Sequence, residues 1–129
     1  MIESTKIELL KNLSQHDFGE EQYFDFHNDY DCTNISFSRE KVLQLEFRNL
    51  NIEEKIVHMN FFDVRIVLFE FFNFAKVRNL TIDNIYRGRV VSNGKLVEYN
   101  YENSGYYYVE FDEGQRLEFW CKGIDVFPH

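Results

Sequence analysis

The chain has 129 residues, 44% of them hydrophobic and 28% charged. That length suits one domain spanning 1–129, and the apolar share is enough for a packed core, so a wholly disordered chain is excluded. The net charge is −8; residues 1–64 hold 6 basic against 13 acidic side chains, and residues 65–129 hold 8 against 9. That balance argues against a basic nucleic-acid groove and against binding to an anionic membrane, and it suits a basic protein partner.

Fourteen Phe, eight Tyr and one Trp make up 18% of the chain. Aromatic side chains suit a pleated, half-buried surface, and the lone Ala75 speaks against a helical domain. In chain order, Thr5 with Glu8 three residues on forms a capping-box pattern, and Ile7, Leu10 and Leu13 share one stripe. A short helix over 5–14 is therefore expected. From residue 22 the period changes to two, and strands are expected over 23–27, 33–37, 42–48 and 55–61. The turn Ser38-Arg39-Glu40-Lys41 precedes the alternation of Leu43, Leu45 and Phe47 with polar residues. Residues 64–72 are almost continuously apolar, which predicts a strand buried on both faces. Residues 77–85 fit no single period.

The last third predicts a four-stranded meander over 85–92, 95–102, 106–111 and 115–122. Asn93-Gly94 is a two-residue hairpin signal. Asn103-Ser104-Gly105 and Asp112-Glu113-Gly114 each place Gly third in a short loop, where a left-handed residue closes the turn. Those turns set the register. Val90 faces Val97 and Gly88 faces Tyr99. Glu102 faces Tyr106, which brings Tyr101 to Tyr107 and Tyr99 to Val109. Phe111 faces Gln115, Val109 faces Leu117 and Tyr107 faces Phe119. Directly paired residues share a face. The predicted core face is Tyr86, Val90, Val97, Tyr99, Tyr101, Tyr107, Val109, Phe111, Leu117, Phe119 and Cys121.

The opposite face carries Arg89, Glu98, Glu110 and Arg116 in one row. Arg87, Asn100, Tyr108 and Glu118 form the next, and Glu102, Tyr106 and Trp120 a third. A Tyr and the only Trp on a polar face, with arginines close by, mark a binding patch, because Tyr, Trp and Arg dominate interface hot spots. Its residues are Tyr106, Tyr108, Trp120, Arg87, Arg116 and Glu102. Gly88, inside a strand, marks a bulge or an aromatic ring covering a glycine. A second surface is acidic. Residues 12–38 hold no Lys or Arg, and Asp17, Glu20, Glu21, Asp29 and Asp31 there supply a docking field for a basic partner.

Catalytic and metal chemistry find little support. Cys32 and Cys121 form no CxxC pair and read as free thiols in a reducing cytoplasm. Asp29, Asp31 and Glu40 imitate an EF-hand loop, but its sixth position is Asn34 rather than Gly and the flanks read as strands. His16, Asp17 and His27 are better explained as part of a solvated acidic loop than as metal ligands. Glu98 and Glu110 are neighbours without a cleft. No GxGxxG or P-loop occurs. No catalytic residue, metal or cofactor is expected. Met1-Ile2-Glu3-Ser4 has neither a basic nor an apolar leader, and no stretch approaches the ~18–20 apolar residues of a membrane span. A cytoplasmic location is the expectation.

The leading helix running into His16-Asp17, then Phe74-x-x-Val77-x-x-Leu80-x-Ile82, Asn84-Ile85 and a terminal meander, resembles small bacterial β-rich domains of unknown function. Some of these are assigned as immunity proteins of polymorphic toxin systems. The resemblance implies a cytoplasmic, non-enzymatic antidote that blocks a cognate toxin domain, and it transfers no site residues.

The expected fold is mainly β, an antiparallel sandwich or β-roll with a short N-terminal helix and the C-terminal meander. The expected function is non-enzymatic protein binding, with a basic toxin domain as partner. The alternatives are a small-ligand or carbohydrate-binding module and a structural homodimer.

Overall fold

The computed structural model describes residues 3–5, 15–17, 23–71 and 80–128. Their strands are β1 (Glu3–Thr5), β2 (Gln15–Asp17), β3 (Tyr23–Asp25), β4 (Tyr30–Phe37), β5 (Leu43–Asn49), β6 (Ile56–Phe62) and β7 (Arg65–Glu70). There follow β8 (Ile82–Ser92), β9 (Lys95–Glu98), β10 (Asn100–Tyr101), β11 (Ser104–Phe111), β12 (Arg116–Cys121) and β13 (Gly123–Pro128). The chain is mainly β, as expected. Apart from Thr5, which ends β1, the expected N-terminal helix lies outside the described residues.

Two antiparallel sheets share one buried cluster. The four-stranded sheet has the order β13-β6-β5-β4. The seven-stranded sheet runs β1-β8-β11-β12-β7, with β9 on β8 and β10 on β11. β2 and β3 pair with each other. Alternation explains the inner faces: Leu43, Leu45 and Phe47 on β5 and Val57, Met59 and Phe61 on β6 are buried. Across from them lie Val109 and Phe111 on β11 and Leu117, Phe119 and Cys121 on β12. Phe61 meets Phe119 edge-on at 4.9 Å between ring centroids. Burial pushes the thiols of Cys32 and Cys121 up to about 12.

The sheets are joined along two lines. β6 and β7 form one run that pairs with β12 and β13, and the pairing offset from Trp120↔Arg65 continues at Gly123↔Phe62. This two-stranded ribbon bends at its centre, where Asp63 takes φ 51° and Val64 turns into the core. On the far edge, β4 meets the segment leading into β8: Cys32 N–H donates to Leu80 O at 2.7 Å, and Leu80 N–H donates back at 3.0 Å.

The strand over 64–72 departs from expectation. Among its described residues only Val64 is fully buried, with Phe71 partly buried against the core. β7 is the last strand of its sheet among the described residues, and Ile66, Val67 and Phe69 are exposed, Val67 at 56%. The apolar run reflects a chain that leaves the core at the ribbon's bend and becomes an edge strand.

Two of the three predicted turns hold. Ser92 pairs with Lys95 and Val90 with Val97. Tyr107 pairs with Phe119 and Val109 with Leu117, and Gly114 closes the last loop at φ 93°. The middle turn differs. Glu102 and Asn103, at φ 48° and 63°, form a two-residue turn that pairs Tyr101 with Ser104. That offset is odd relative to the expected one, and an odd slip exchanges the faces of a strand. β11 therefore lies against β8 rather than continuing along the 95–102 strand, with Tyr107 opposite Arg87 and Val109 opposite Ile85. Ile82, Ile85 and Arg87 line the core face of β8, and Val90, expected there, is only half-buried. Val97 and Tyr101 are exposed rather than buried.

Gly105 is small for a reason unrelated to its φ. An added Cβ would sit 2.5 Å from Cζ of Arg87, whose buried guanidinium occupies that space. At Gly123 the nearest atom would be 3.9 Å away. Gly105→Ala should lower stability by ~2 kcal/mol, while Gly123→Ala should stay within ~0.5 kcal/mol of wild type. Urea unfolding midpoints of the two variants check this.

On the outer side of the four-stranded sheet, Thr33 Oγ1 donates to Glu46 Oε2 at 2.8 Å, and His58 Nε2 lies 3.3 Å from Glu46 Oε1. The Thr33 hydrogen bond is the main cause holding the Glu46 carboxyl below its ordinary value, with His58 and Arg48 adding to it. A depressed carboxyl stabilises the fold above its unfolded-state pKa, and that contribution is lost as pH falls through the folded value. Thr33→Val should cost ~1 kcal/mol at pH 7. The gap to wild type should shrink as pH drops below about 4.5, measured by urea unfolding across pH.

Candidate functional site

The outer face of the seven-stranded sheet carries a connected group of rings. Along β11 and β12 the core takes Tyr107, Val109, Leu117 and Phe119, so alternation turns Tyr106, Tyr108, Glu118 and Trp120 the other way. Tyr106 pairs directly with Trp120, and Tyr108 with Glu118. Trp120 meets Tyr106 edge-on at 5.0 Å and Tyr99 at 4.8 Å, and Tyr101 lies 6.3 Å away. Tyr106 also meets Tyr108 edge-on at 5.2 Å. Five aromatic side chains thus form one cluster. Tyr101 is 56% exposed at its rim, Trp120 is half-buried, and Tyr106 at the centre is only 3% exposed.

Tyr106 is central because of a glycine. A Cβ at Gly88 would approach Tyr106 Cβ at 3.0 Å and Cδ1 at 3.1 Å, so the ring lies flat over that gap. Its hydroxyl donates to Glu118 Oε1 at 2.8 Å. Burial, then the Glu118 carboxylate, pushes the Tyr106 phenol well above its ordinary range. Burial and Glu118 also raise that of Tyr108. Both rings stay neutral across physiological pH and present apolar edges with a polar tip.

Beyond Gly88 the β8–β9 hairpin forms an exposed arm: Val97 lies on the face of Tyr99, and Val91 and Leu96, which pair with each other, are exposed on the opposite face. Tyr99 ties the arm to the ring cluster: its N–H donates to Gly88 O at 2.8 Å, and its carbonyl accepts from Tyr106 N–H at 3.3 Å.

The remaining predicted site residues lie elsewhere. Arg87 is 6% exposed and turned inward, where it donates to Tyr99 O at 2.8 Å and to Asn100 Oδ1 and pairs with Glu98 at 3.0 Å. It was expected on the open face; the odd slip of the second hairpin turns it in. Tyr106 likewise was expected to be exposed and is covered by its neighbours. Arg116 is exposed and donates to both oxygens of Glu70 at 3.2 and 3.4 Å. Glu102 sits in the β10–β11 turn and lines a pocket of about 210 Å³ with Lys41, Asp63, Arg65, Ser104 and Lys122.

Asp29 is exposed in the turn before β4, and Asp31 is half-buried on β4, in the other sheet. Asp17 ends β2, and Glu20 and Glu21 lie outside the described residues. The expected row of Arg89, Glu98, Glu110 and Arg116 divides into two pairs, Arg89 with Glu98 and Glu110 with Arg116. Glu98 and Glu110 are therefore not neighbours.

Sequence reasoning missed Tyr99 and Tyr101, which it assigned to the core. The available signal was their alternation with Val97 in a strand that follows a two-residue turn. No family model, curated protein or solved structure matches the chain. No helix among the described residues is long and apolar enough to cross a membrane.

Tyr106→Phe should cost ~1 kcal/mol through the lost bond to Glu118, with Trp120 emission unchanged. Tyr106→Ala should cost ~3 kcal/mol and shift Trp120 emission to the red. Chemical unfolding followed by fluorescence separates the two.

Proposed function

We propose that this chain is a non-enzymatic protein-binding domain whose outer aromatic face docks a basic protein partner. The observation that carries this is the cluster of Tyr99, Tyr101, Tyr106, Tyr108 and Trp120, extended on the same face by the exposed Val97 of β9. A solvated sheet face has no need of five rings, and contiguous exposed apolar surface rimmed by polar groups is how interaction sites look. A rigid Tyr/Trp cluster is also what hot spots are made of. The net charge of −8 supplies the complementary field for a basic partner.

The finer reading is an immunity protein on a sandwich or β-roll body, acting in the cytoplasm against a basic toxin domain. It rests on the resemblance given above together with this charge. A non-catalytic role fits the buried state of both thiols, the engagement of His58 with Glu46, and the separation of Glu98 from Glu110.

The test is affinity capture from lysate of the protein's own source, with wild type and Trp120→Asp in parallel, washed at low and then high salt. The expected result is one basic protein held by wild type at low salt, released at high salt and absent with Trp120→Asp. With the purified pair, that variant should bind at least ~30-fold more weakly. Equal capture by both chains overturns the assignment of the face. Empty capture by both overturns the partner reading. In that event, quenching of Trp120 by a saccharide panel would favour ligand binding, and a sedimenting dimer split by Trp120→Asp would favour a homodimer.

A further inference from the structure

His27, Asp83 and Asp112 come from three distant segments and meet at one place. A ring nitrogen of His27 and one carboxylate oxygen from each aspartate lie within 4.8 Å of one another. We propose that this cluster binds a divalent first-row transition ion of the Zn²⁺ class, with one imidazole and two carboxylate ligands.

Each ligand stands on a fixed base. Phe26, immediately before His27, is fully buried and packs on Phe47 at 4.6 Å. Ile82, immediately before Asp83, is also fully buried. The backbone N–H of Asp112 donates to Thr81 O at 2.9 Å. These anchors hold the turn before β4, the start of β8 and the β11–β12 loop together.

The imidazole is also oriented. His27 Nδ1 lies 2.7 Å from Ile82 O. A carbonyl oxygen only accepts, so Nδ1 carries the proton, and the lone pair of the neutral ring is on Nε2. A ring whose other nitrogen is held by a backbone carbonyl is the usual arrangement of a metal-binding histidine.

Distance and donor type select the ion. Donors bound at ~2.0–2.2 Å in a tetrahedron stand roughly 3.4 Å apart. The three donors already lie within 4.8 Å of one another, within small side-chain adjustments of that spacing. A borderline nitrogen with two hard oxygens suits Zn²⁺ and its neighbours better than Ca²⁺ or Mg²⁺, which favour all-oxygen sets. Three protein ligands leave one position for water. An ion there cross-links three segments distant in sequence, stabilising the folded state by mass action.

The test is calorimetric titration of the untagged full chain, stripped with chelator, with Zn²⁺ and separately with Mg²⁺. The expected result is one Zn²⁺ per chain and a rise of at least ~3 °C in melting temperature, with no such response to Mg²⁺. Asp83→Asn and Asp112→Asn should each weaken Zn²⁺ binding at least about tenfold, while Asp29→Asn and Glu113→Gln leave it unchanged. No uptake by wild type, or equal uptake by Asp112→Asn, overturns the proposal. Both aspartates are exposed, so their variants keep the test sound even where His27→Gln fails to fold.

Discussion

A guanidinium taken out of water must find acceptors, and Arg87 finds them where the seven-stranded sheet divides. β8 pairs with β9 along its second half and with β11 along its first, and the chain between them leaves carbonyls at the fork. Arg87 donates to Tyr99 O at 2.8 Å, makes a longer contact of 3.5 Å to Tyr106 O, and is matched in charge by Glu98. The guanidinium also lies 5.0 Å over the ring of Tyr107. A buried charge is tolerated only when paired and hydrogen-bonded in this way. Three residues follow from it. Gly105 leaves the space for the guanidinium, Glu98 sits at the last position of β9, and Asn100 begins β10. Register follows too, because the short turn at Glu102 and Asn103 places Tyr106 over Gly88. The inward-turned arginine and the aromatic face thus share one register and stand or fall together.

The second constraint is the bent ribbon. One pairing offset runs through the bend, from Phe119↔Ile66 on β12 and β7 to Pro128↔Val57 on β13 and β6, so the two sheets are locked in register there. The bend concentrates unusual backbone. Lys41, Asp63 and Glu102 each have positive φ, at 63°, 51° and 48°, and all three line the same polar pocket. Left-handed non-glycine residues persist only where surrounding structure over-determines them. Here the fixing bonds are visible: Val64 N–H donates to Lys41 O, and Lys122 N–H donates to Phe62 O, each at 2.9 Å.

What was legible in the sequence was local. Asn93-Gly94 and Asp112-Glu113-Gly114 dictate their turns through residues that touch each other, and their registers follow. The alternation of Leu43, Leu45 and Phe47 likewise marks a face whose cause lies within the strand. Gly105 was misread because its cause is Arg87, 18 positions upstream. The same slip sent Tyr99 and Tyr101 to the wrong face, so the aromatic site was seen as three rings rather than five. β7 was misread because an unbroken apolar run reads as burial, whereas the bend buries Val64 and leaves Val67 and Phe69 at an edge. His27, Asp83 and Asp112 share no spacing at all. The closure of β4 onto Leu80 and the backbone bond from Asp112 to Thr81 bring them together.

For the docking proposed above, charge and rings occupy different surfaces. Asp29, Asp31, Glu53 and Glu54 belong to the four-stranded sheet and its loops, whereas the aromatic cluster lies on the outer face of the other sheet. Both sheets contribute their buried faces to one core, so these acids and the rings stand on different sheets, and exposed charges are screened beyond ~8 Å at physiological salt. The acidic field therefore acts on approach rather than in the contact, and it sets how often a basic partner arrives. Once seated, the partner is held by Tyr101, Trp120 and Val97, whose burial is insensitive to ionic strength. Salt should consequently slow association, while truncating a ring should speed release. The division is physical: long-range attraction needs net charge anywhere on the body, but tight contact needs rigid, desolvated rings in one place, and the register that the Glu102–Asn103 turn sets and Arg87 fastens is what gathers them.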